Sequence, residues 1–167
     1  MPCNTAHADS IFNEIVKRIP TKIKLVHMIH QVAQFIKNEY PSFKKIGVLS
    51  TAGTSISNVY QDGLAQFGLT ELKVSNKIQK TKIDPAIYSK TYGIKAFTNP
   101  VTEQAKNELY SGINYLINNG AELVVLGCTE IPFAFKEQDI NGVPIIDSTK
   151  ILARTLILEA APEKLKE

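Results

Sequence analysis

Leu123-Val124-Val125-Leu126-Gly127-Cys128-Thr129-Glu130-Ile131-Pro132 reads as a buried strand that runs into a polar loop. Four consecutive apolar residues, two of them β-branched, fit a strand covered on both faces, as in a parallel sheet. Cys128 falls at the carboxyl end of that strand. In open α/β sheets ligands bind beyond the carboxyl ends of strands, so Cys128 stands where chemistry is expected. A second segment follows the same plan: Ile46-Gly47-Val48-Leu49 leads directly into Ser50-Thr51-Ala52-Gly53-Thr54.

Outward from these two strands the chain alternates helix and strand. Asp9 or Ser10 caps a helix with Phe12, Ile15, Val16 and Ile19 at helical spacing, and Pro20 stops it. Residues 24–28 read as a short strand and 31–40 as a helix closed by Pro41. A helix over 55–67 carries Val59, Tyr60 and Leu64 on one face, with Gly68 as its C-cap. Residues 71–74 and 143–146 are further strands, and 85–95 are helical. A long helix starts at Asn99-Pro100, turns Val101, Ala105, Leu109, Ile113, Leu116 and Ile117 inward, and ends at Asn119-Gly120. A last helix covers 148–159, and 162–167 are expected to fray. The alternation predicts an α/β fold with parallel strands.

Composition narrows the function. The 167 residues are 44% hydrophobic and 21% charged, which suits a chain that fills a core. The apolar runs are far shorter than the roughly 20 residues of a membrane span. Asn4, Thr5, His7 and Asp9 interrupt any apolar opening, so no signal peptide is expected. The 19 basic side chains exceed the 16 acidic ones by three, but only Arg18 and Arg154 are arginine. Nucleic-acid readers cluster arginine for bidentate contacts, so no nucleic-acid partner is expected. Lys73, Lys77, Lys80, Lys82, Lys90 and Lys95 form a basic stretch, mostly solvated surface, that could attract small anions. Two cysteines and three histidines without close spacing give no metal set, and two cysteines without a secretion signal point to a reducing compartment, the cytoplasm. No Gly-rich phosphate-binding motif occurs.

Two short segments resemble each other: Pro2-Cys3-Asn4-Thr5-Ala6-His7 and Gly127-Cys128-Thr129-Glu130-Ile131-Pro132. With them the chain resembles the aspartate/glutamate racemase family of cofactor-independent amino-acid racemases. That family carries a Cys-Asn-Thr segment with a nearby histidine, and a Gly-Cys-Thr segment followed by Glu or His and a proline. The segment 47–54 is similar to the family's strand followed by Thr-x-Gly-Thr, and Tyr92-Gly93-Ile94-Lys95 is similar to its segment bearing a lysine for a substrate carboxylate. The resemblance implies two lobes with parallel sheets in a three-layer α/β/α arrangement. It implies that Cys3 and Cys128 are an acid–base pair that moves the Cα proton of aspartate or glutamate from one face to the other. Two thiols, one ionised and one not, spare a single base from crossing the molecular plane, and a helix N-terminus lowers a thiol pKa towards neutrality.

The same resemblance implies that Asn4, Thr5, Thr51, Thr54 and Thr129 bind the amino-acid core, with no pyridoxal phosphate, other cofactor or metal. Thr51 and Thr54 serve equally well as caps for the following helix. Lys95 is expected on a carboxylate, Glu130 as a cap or on the substrate ammonium, His7 as an orienting group for Cys3, and His27 and His30 as structural. Racemases of this family usually carry a further stretch before their first cysteine, whereas Cys3 is the third residue here. The chain is therefore expected to be truncated: a partial lobe from 1–42 with 146–167 carries Cys3, and a complete lobe over 43–145 carries Cys128. Exposed apolar faces of the partial lobe favour a homodimer. Turnover by the isolated chain is expected to be weak, and a truncated homologue that only binds small carboxylates or a partner is the alternative.

Overall fold

The computed structural model describes residues 1–165; Lys166 and Glu167, the end of the segment expected to fray, lie outside the described residues. The chain opens on a single 3-10 turn, Asn4–His7, followed by α1 (Asp9–Val16). The spacing of α1 is amphipathic, yet none of its residues is buried. α2 (Met28–Glu39) starts earlier than expected, and the strand expected over 24–28 pairs with nothing among the described residues. His27 is the physical reason. Its Nδ1 accepts the amide N–H of His30 at 3.4 Å and caps the helix, which makes Met28 and Ile29 buried helical positions.

After β1 (Lys45–Ser50) come two short helices, α3 (Ala52–Ile56) and α4 (Val59–Ala65), in place of the single helix expected over 55–67. Asn58 separates them with φ 55°, a left-handed conformation that asparagine adopts more readily than most residues. β2 (Thr70–Lys73), α5 (Asn76–Ile78), one π turn (Gln79–Ile83) and α6 (Asp84–Tyr88) follow. The helix expected over 85–95 thus ends at Tyr88. Beyond it the amides of Ile94 and Lys95 bond back to the carbonyls of Ala86 and Ile87, at 2.8 and 3.1 Å. α7 (Glu103–Asn118) begins after Thr102, whose hydroxyl accepts the Ala105 amide N–H at 3.2 Å, and not at Pro100. β3 (Leu123–Gly127) leads through a 3-10 turn (Ile131–Ala134) to β4 (Asp139–Ile140), β5 (Val143–Asp147) and α8 (Ser148–Ala160), and a 3-10 turn (Pro162–Lys164) closes the described chain.

Among the described residues five strands form one sheet in the order β2-β1-β3-β5-β4. The first four are parallel, and β4 runs antiparallel at the edge. Side chains alternate across it. Ile46 and Val48 of β1 and Leu123 and Val125 of β3 pack with Met28, Ile29 and Val32 of α2, Leu64 of α4 and Leu152 of α8. Leu49, Val124 and Leu126 pack on the other side with Ile87 of α6 and Leu109, Ile113 and Leu116 of α7. The result is the expected α/β/α sandwich. α7 lies close to the sheet because Gly112 has no side chain; a Cβ there would fall 2.6 Å from Ile83 Cδ1 and 2.8 Å from Leu49 Cδ1.

The connections leave β1 towards β2 on one side and β3 towards β5 on the other. The strand order therefore reverses between β1 and β3, and there the register pairs Ser50 with Gly127. Leu109 is fully buried, whereas Ile11 on α1 is 42% exposed. Leu109→Ala should lower unfolding free energy by about 2–5 kcal/mol and Ile11→Ala by less than about 0.5 kcal/mol, read from urea titrations. Comparable losses would mean that α1 is packed as tightly as α7.

Candidate active site

Thr51 and Cys128 are the residues that follow Ser50 and Gly127, so the strand register sets them side by side beyond the carboxyl ends of two adjacent parallel strands. A cleft of about 160 Å³ opens there. Its wall contains Cys3, Asn4, Thr5, Thr51, Thr54, Lys95, Cys128, Thr129 and Glu130, which brings together every site residue singled out in the sequence. Tyr88 and Gly127 complete the lining. A wider hollow of about 470 Å³, between Pro100, Lys106, Tyr110 and Phe133, gathers neither cysteine.

One wall is a hydroxyl ladder. Thr51 caps α3, its Oγ1 accepting the Thr54 amide N–H at 3.4 Å. Thr54 Oγ1 lies 3.2 Å from Thr51 Oγ1 and 2.8 Å from Thr5 Oγ1. Capping and cleft-lining are thus carried by the same threonines. The ladder ties the Cys3-Asn4-Thr5 turn to the end of β1, so the two distant segments meet through side chains.

The other wall is ionic. Glu130 accepts hydrogen bonds from Lys95 Nζ at 2.5 Å, from the Cys128 thiol at 2.9 Å and from Thr129 Oγ1 at 2.8 Å. Burial alone would raise the Glu130 carboxyl, but the bonds from Cys128, Lys95 and Thr129 outweigh it and bring it down to about 2. The bond to Glu130 in turn raises Lys95 above its ordinary value against partial desolvation. Lys95 Nζ also sits 5.6 Å from the centre of the Tyr88 ring, within cation–π range.

Cys128 departs from the expectation that a helix N-terminus would lower its thiol. It is 8% exposed, and burial first, then donation to the Glu130 carboxylate, push it up to about 12. A buried thiol facing a carboxylate cannot ionise easily, because both low dielectric and like charge disfavour the thiolate. Cys3, by contrast, is exposed, and both cysteines are free.

The matching family is described as Asp/Glu/Hydantoin racemase, and its model covers residues 1–156. The chain belongs to that family. It is 29% identical over 157 residues to the broad specificity amino-acid racemase RacX of Bacillus subtilis (strain 168), across 94% of this chain and 62% of that protein. Among solved structures it is similar to Picrophilus torridus aspartate racemase, with TM-score 0.68 and 26% identity over 96% of this chain and 60% of that one. It is also similar to the glutamate racemase isoform RacE1 of Bacillus anthracis, with TM-score 0.63 and 25% identity over 94% and 56% of the two chains. The chain therefore spans about six tenths of the length of these relatives.

Other members of the sequence reading take structural places in this racemase-family chain. His7 Nε2 lies 2.9 Å from the Met1 carbonyl and its ring stacks on Phe12, so it fastens the 3-10 turn rather than the Cys3 thiol. His27 and His30 stack with centroids 4.1 Å apart. Among the described residues no group of three His, Cys, Asp or Glu side chains could hold a metal ion, and no helix is long and apolar enough to cross a membrane. Of the lysine-rich stretch, Lys73 is drawn off to the Ser55 carbonyl and Asn58 Oδ1, at 2.9 and 2.8 Å, and Lys95 reaches the cleft.

Tyr88 escaped the sequence reading because the helix expected over 85–95 gave it no special face; the turn after Tyr88 is what brings Lys95 back beside it. Glu130→Gln should let the Cys128 thiol ionise at lower pH than in the parent chain, measured as the pH dependence of iodoacetamide alkylation in a Cys3→Ser background. The stability that Glu130 contributes is whole above its ordinary pKa of 4.5 and lost as pH falls towards about 2. Acid titration of Glu130→Gln should lack that loss, and an unchanged acid profile would mean that the Lys95–Glu130 pair contributes nothing to stability.

Proposed function

We propose that this chain carries the catalytic centre of an amino-acid racemase acting on aspartate or glutamate, by proton transfer between two cysteines and without cofactor. The observation that carries this reading is the small cleft lined by both cysteines, by the hydroxyl or amide side chains of Asn4, Thr5, Thr51, Thr54 and Thr129, and by a Lys95–Glu130 pair. Charge also supports the reading. An amino acid is a zwitterion, and Lys95 and Glu130 satisfy each other at 2.5 Å. A substrate replaces that contact with two of its own: a carboxylate on Lys95 and the ammonium on Glu130. Asn4, Thr5, Thr51, Thr54 and Thr129 then donate to the remaining carboxylate, where negative charge develops as the Cα proton leaves.

The protonated state of Cys128 favours one starting arrangement. Cys128 is held as a thiol and supplies the proton, and the proposed step gives Cys3 the part of the base that takes the Cα proton from the other face. The C–H electron pair stays on Cα as a carbanion and then accepts the Cys128 proton, which leaves Cys3 as thiol and Cys128 as thiolate. The opposite enantiomer uses the reverse sequence. Moving Glu130 onto the ammonium removes the charge that faces Cys128 and eases formation of that thiolate.

The same reading assigns Cys3 to a lobe from 1–42 with 146–167 and Cys128 to a lobe over 43–145, with the substrate held between them. It also takes the protein to be cytoplasmic and a homodimer, supported by two free cysteines and by exposed apolar side chains such as Leu156 and Leu158. In D2O the chain should introduce deuterium at Cα of L-aspartate or L-glutamate. Cys3→Ser and Cys128→Ser should each slow this by about 10²–10⁴-fold, the usual worth of a positioned acid or base. Exchange that survives both changes would overturn the two-cysteine assignment, and binding without any exchange would make the chain a carboxylate-binding protein.

A further inference from the structure

Tyr60 is the largest fully buried side chain, 1% exposed, on the inward face of α4. A phenylalanine would fill that space without a polar atom, and a buried phenol needs a partner. Its partner is in the candidate site: the phenol donates to Asn4 Oδ1 at 2.6 Å, across 56 positions of sequence. Asn58 makes this reach possible, because its left-handed conformation ends α3 and restarts the helix with Tyr60 turned to the sheet. Gly127 makes room for it. A Cβ on Gly127 would lie 3.1 Å from Tyr60 Cε2, so the ring passes beside the residue that precedes Cys128. Tyr60 therefore touches the segments of both cysteines, at Gly127 and at Asn4. On its remaining side it meets the Ser148 hydroxyl, which donates to the Leu126 carbonyl at 2.9 Å.

Asn4 is 3% exposed. With its carbonyl oxygen committed to Tyr60, its amide nitrogen Nδ2 is buried and has no partner. Buried amide N–H groups without acceptors are rare and ask for an explanation, and Asn4 lines the cleft. Burial also pushes the phenol well above its ordinary pKa, so Tyr60 stays protonated around neutral pH and donates, and the amide cannot turn over without losing that bond.

We infer that Tyr60 is a positioning residue: by donating to Asn4 Oδ1 it fixes the Asn4 carboxamide so that Nδ2 faces the cleft as a ready donor to a substrate carboxylate oxygen. The inference rests on the racemase reading for its substrate, and on geometry alone for the fixed amide. Tyr60 does not touch the reacting atoms; it acts through Asn4.

The test compares the parent chain, Tyr60→Phe, Asn4→Ala and the double variant. Deuterium exchange at Cα of L-aspartate gives kcat and KM, and 15N-edited NMR follows the Asn4 side-chain amide. Tyr60→Phe keeps the ring and should keep the fold by circular dichroism. Its kcat/KM should fall about tenfold, the worth of one good hydrogen bond to a charged group, and the double variant should be no slower than Asn4→Ala alone. The Asn4 amide signals should shift on adding L-aspartate to the parent chain, and should collapse to averaged positions in Tyr60→Phe. If the two changes multiply, Tyr60 acts independently of Asn4 and the inference is overturned. If the parent chain exchanges no deuterium, the racemase reading fails while the amide spectra still decide the positioning: averaging in Tyr60→Phe upholds it, and unchanged amide signals overturn it.

Discussion

The register of two parallel strands is the constraint on which this site depends. Ser50 lies opposite Gly127, so the residues after them, Thr51 and Cys128, leave the sheet side by side. A slip of one residue would exchange the faces of β1 and send Thr51 to the wrong side. The register cannot slip, because both faces are buried: Ile46 and Val48 belong to one core, Leu49 to the other, and all three are nearly inaccessible. The hydrophobic cores thereby set the position of polar groups that contribute nothing to them. Gly127 then serves twice, pairing with Ser50 and leaving space for the Tyr60 ring.

Electrostatics acts at a finer level. The cleft holds one cation and one anion, Lys95 and Glu130, in direct contact and partly screened from water. A partly exposed pair of this kind costs little to separate, and under the proposed function a zwitterion would supply both replacement charges. Burial and, after it, the Glu130 carboxylate make Cys128 a poor thiolate, so the residue that holds Lys95 also keeps the cysteine protonated.

The two central strands and their ends were legible in the sequence, and so were nine of the residues that line the cleft. The continuous apolar runs at 46–49 and 123–126 are a strong signal, and Cys128 follows one of them directly. What was not legible depended on contacts between distant residues or on side-chain caps. Residues 24–28 read as a short strand, but His27 caps a helix with its own imidazole, a role its type does not announce. The helix expected over 55–67 breaks at Asn58, whose left-handed backbone is visible only once Tyr60 is seen to point at Asn4. The lowered thiol expected for Cys128 was wrong because helix-dipole reasoning ignores burial and Glu130, two residues away, whose carboxylate turns back onto the sulfur.

The two cysteines are held by different kinds of force. Cys128 follows a strand in the middle of the sheet and inherits its rigidity. Cys3 sits on a 3-10 turn beside a helix, α1, with no buried residue. That turn is kept in place by side-chain bonds: Asn4 with Tyr60, Thr5 with Thr54, and the His7 carbonyl with His27 Nε2 at 3.0 Å. Each contributes only about 0.5–1.5 kcal/mol, so opening this wall costs far less than unfolding the sheet. His27 uses both ring nitrogens, Nε2 towards His7 and Nδ1 as acceptor for the His30 amide. Only the neutral ring can do both, since the imidazolium has no lone pair left to accept. Burial, with neighbouring His30, lowers its pKa to about 4, which keeps the ring neutral, and the Cys3 wall held by both bonds, at neutral pH.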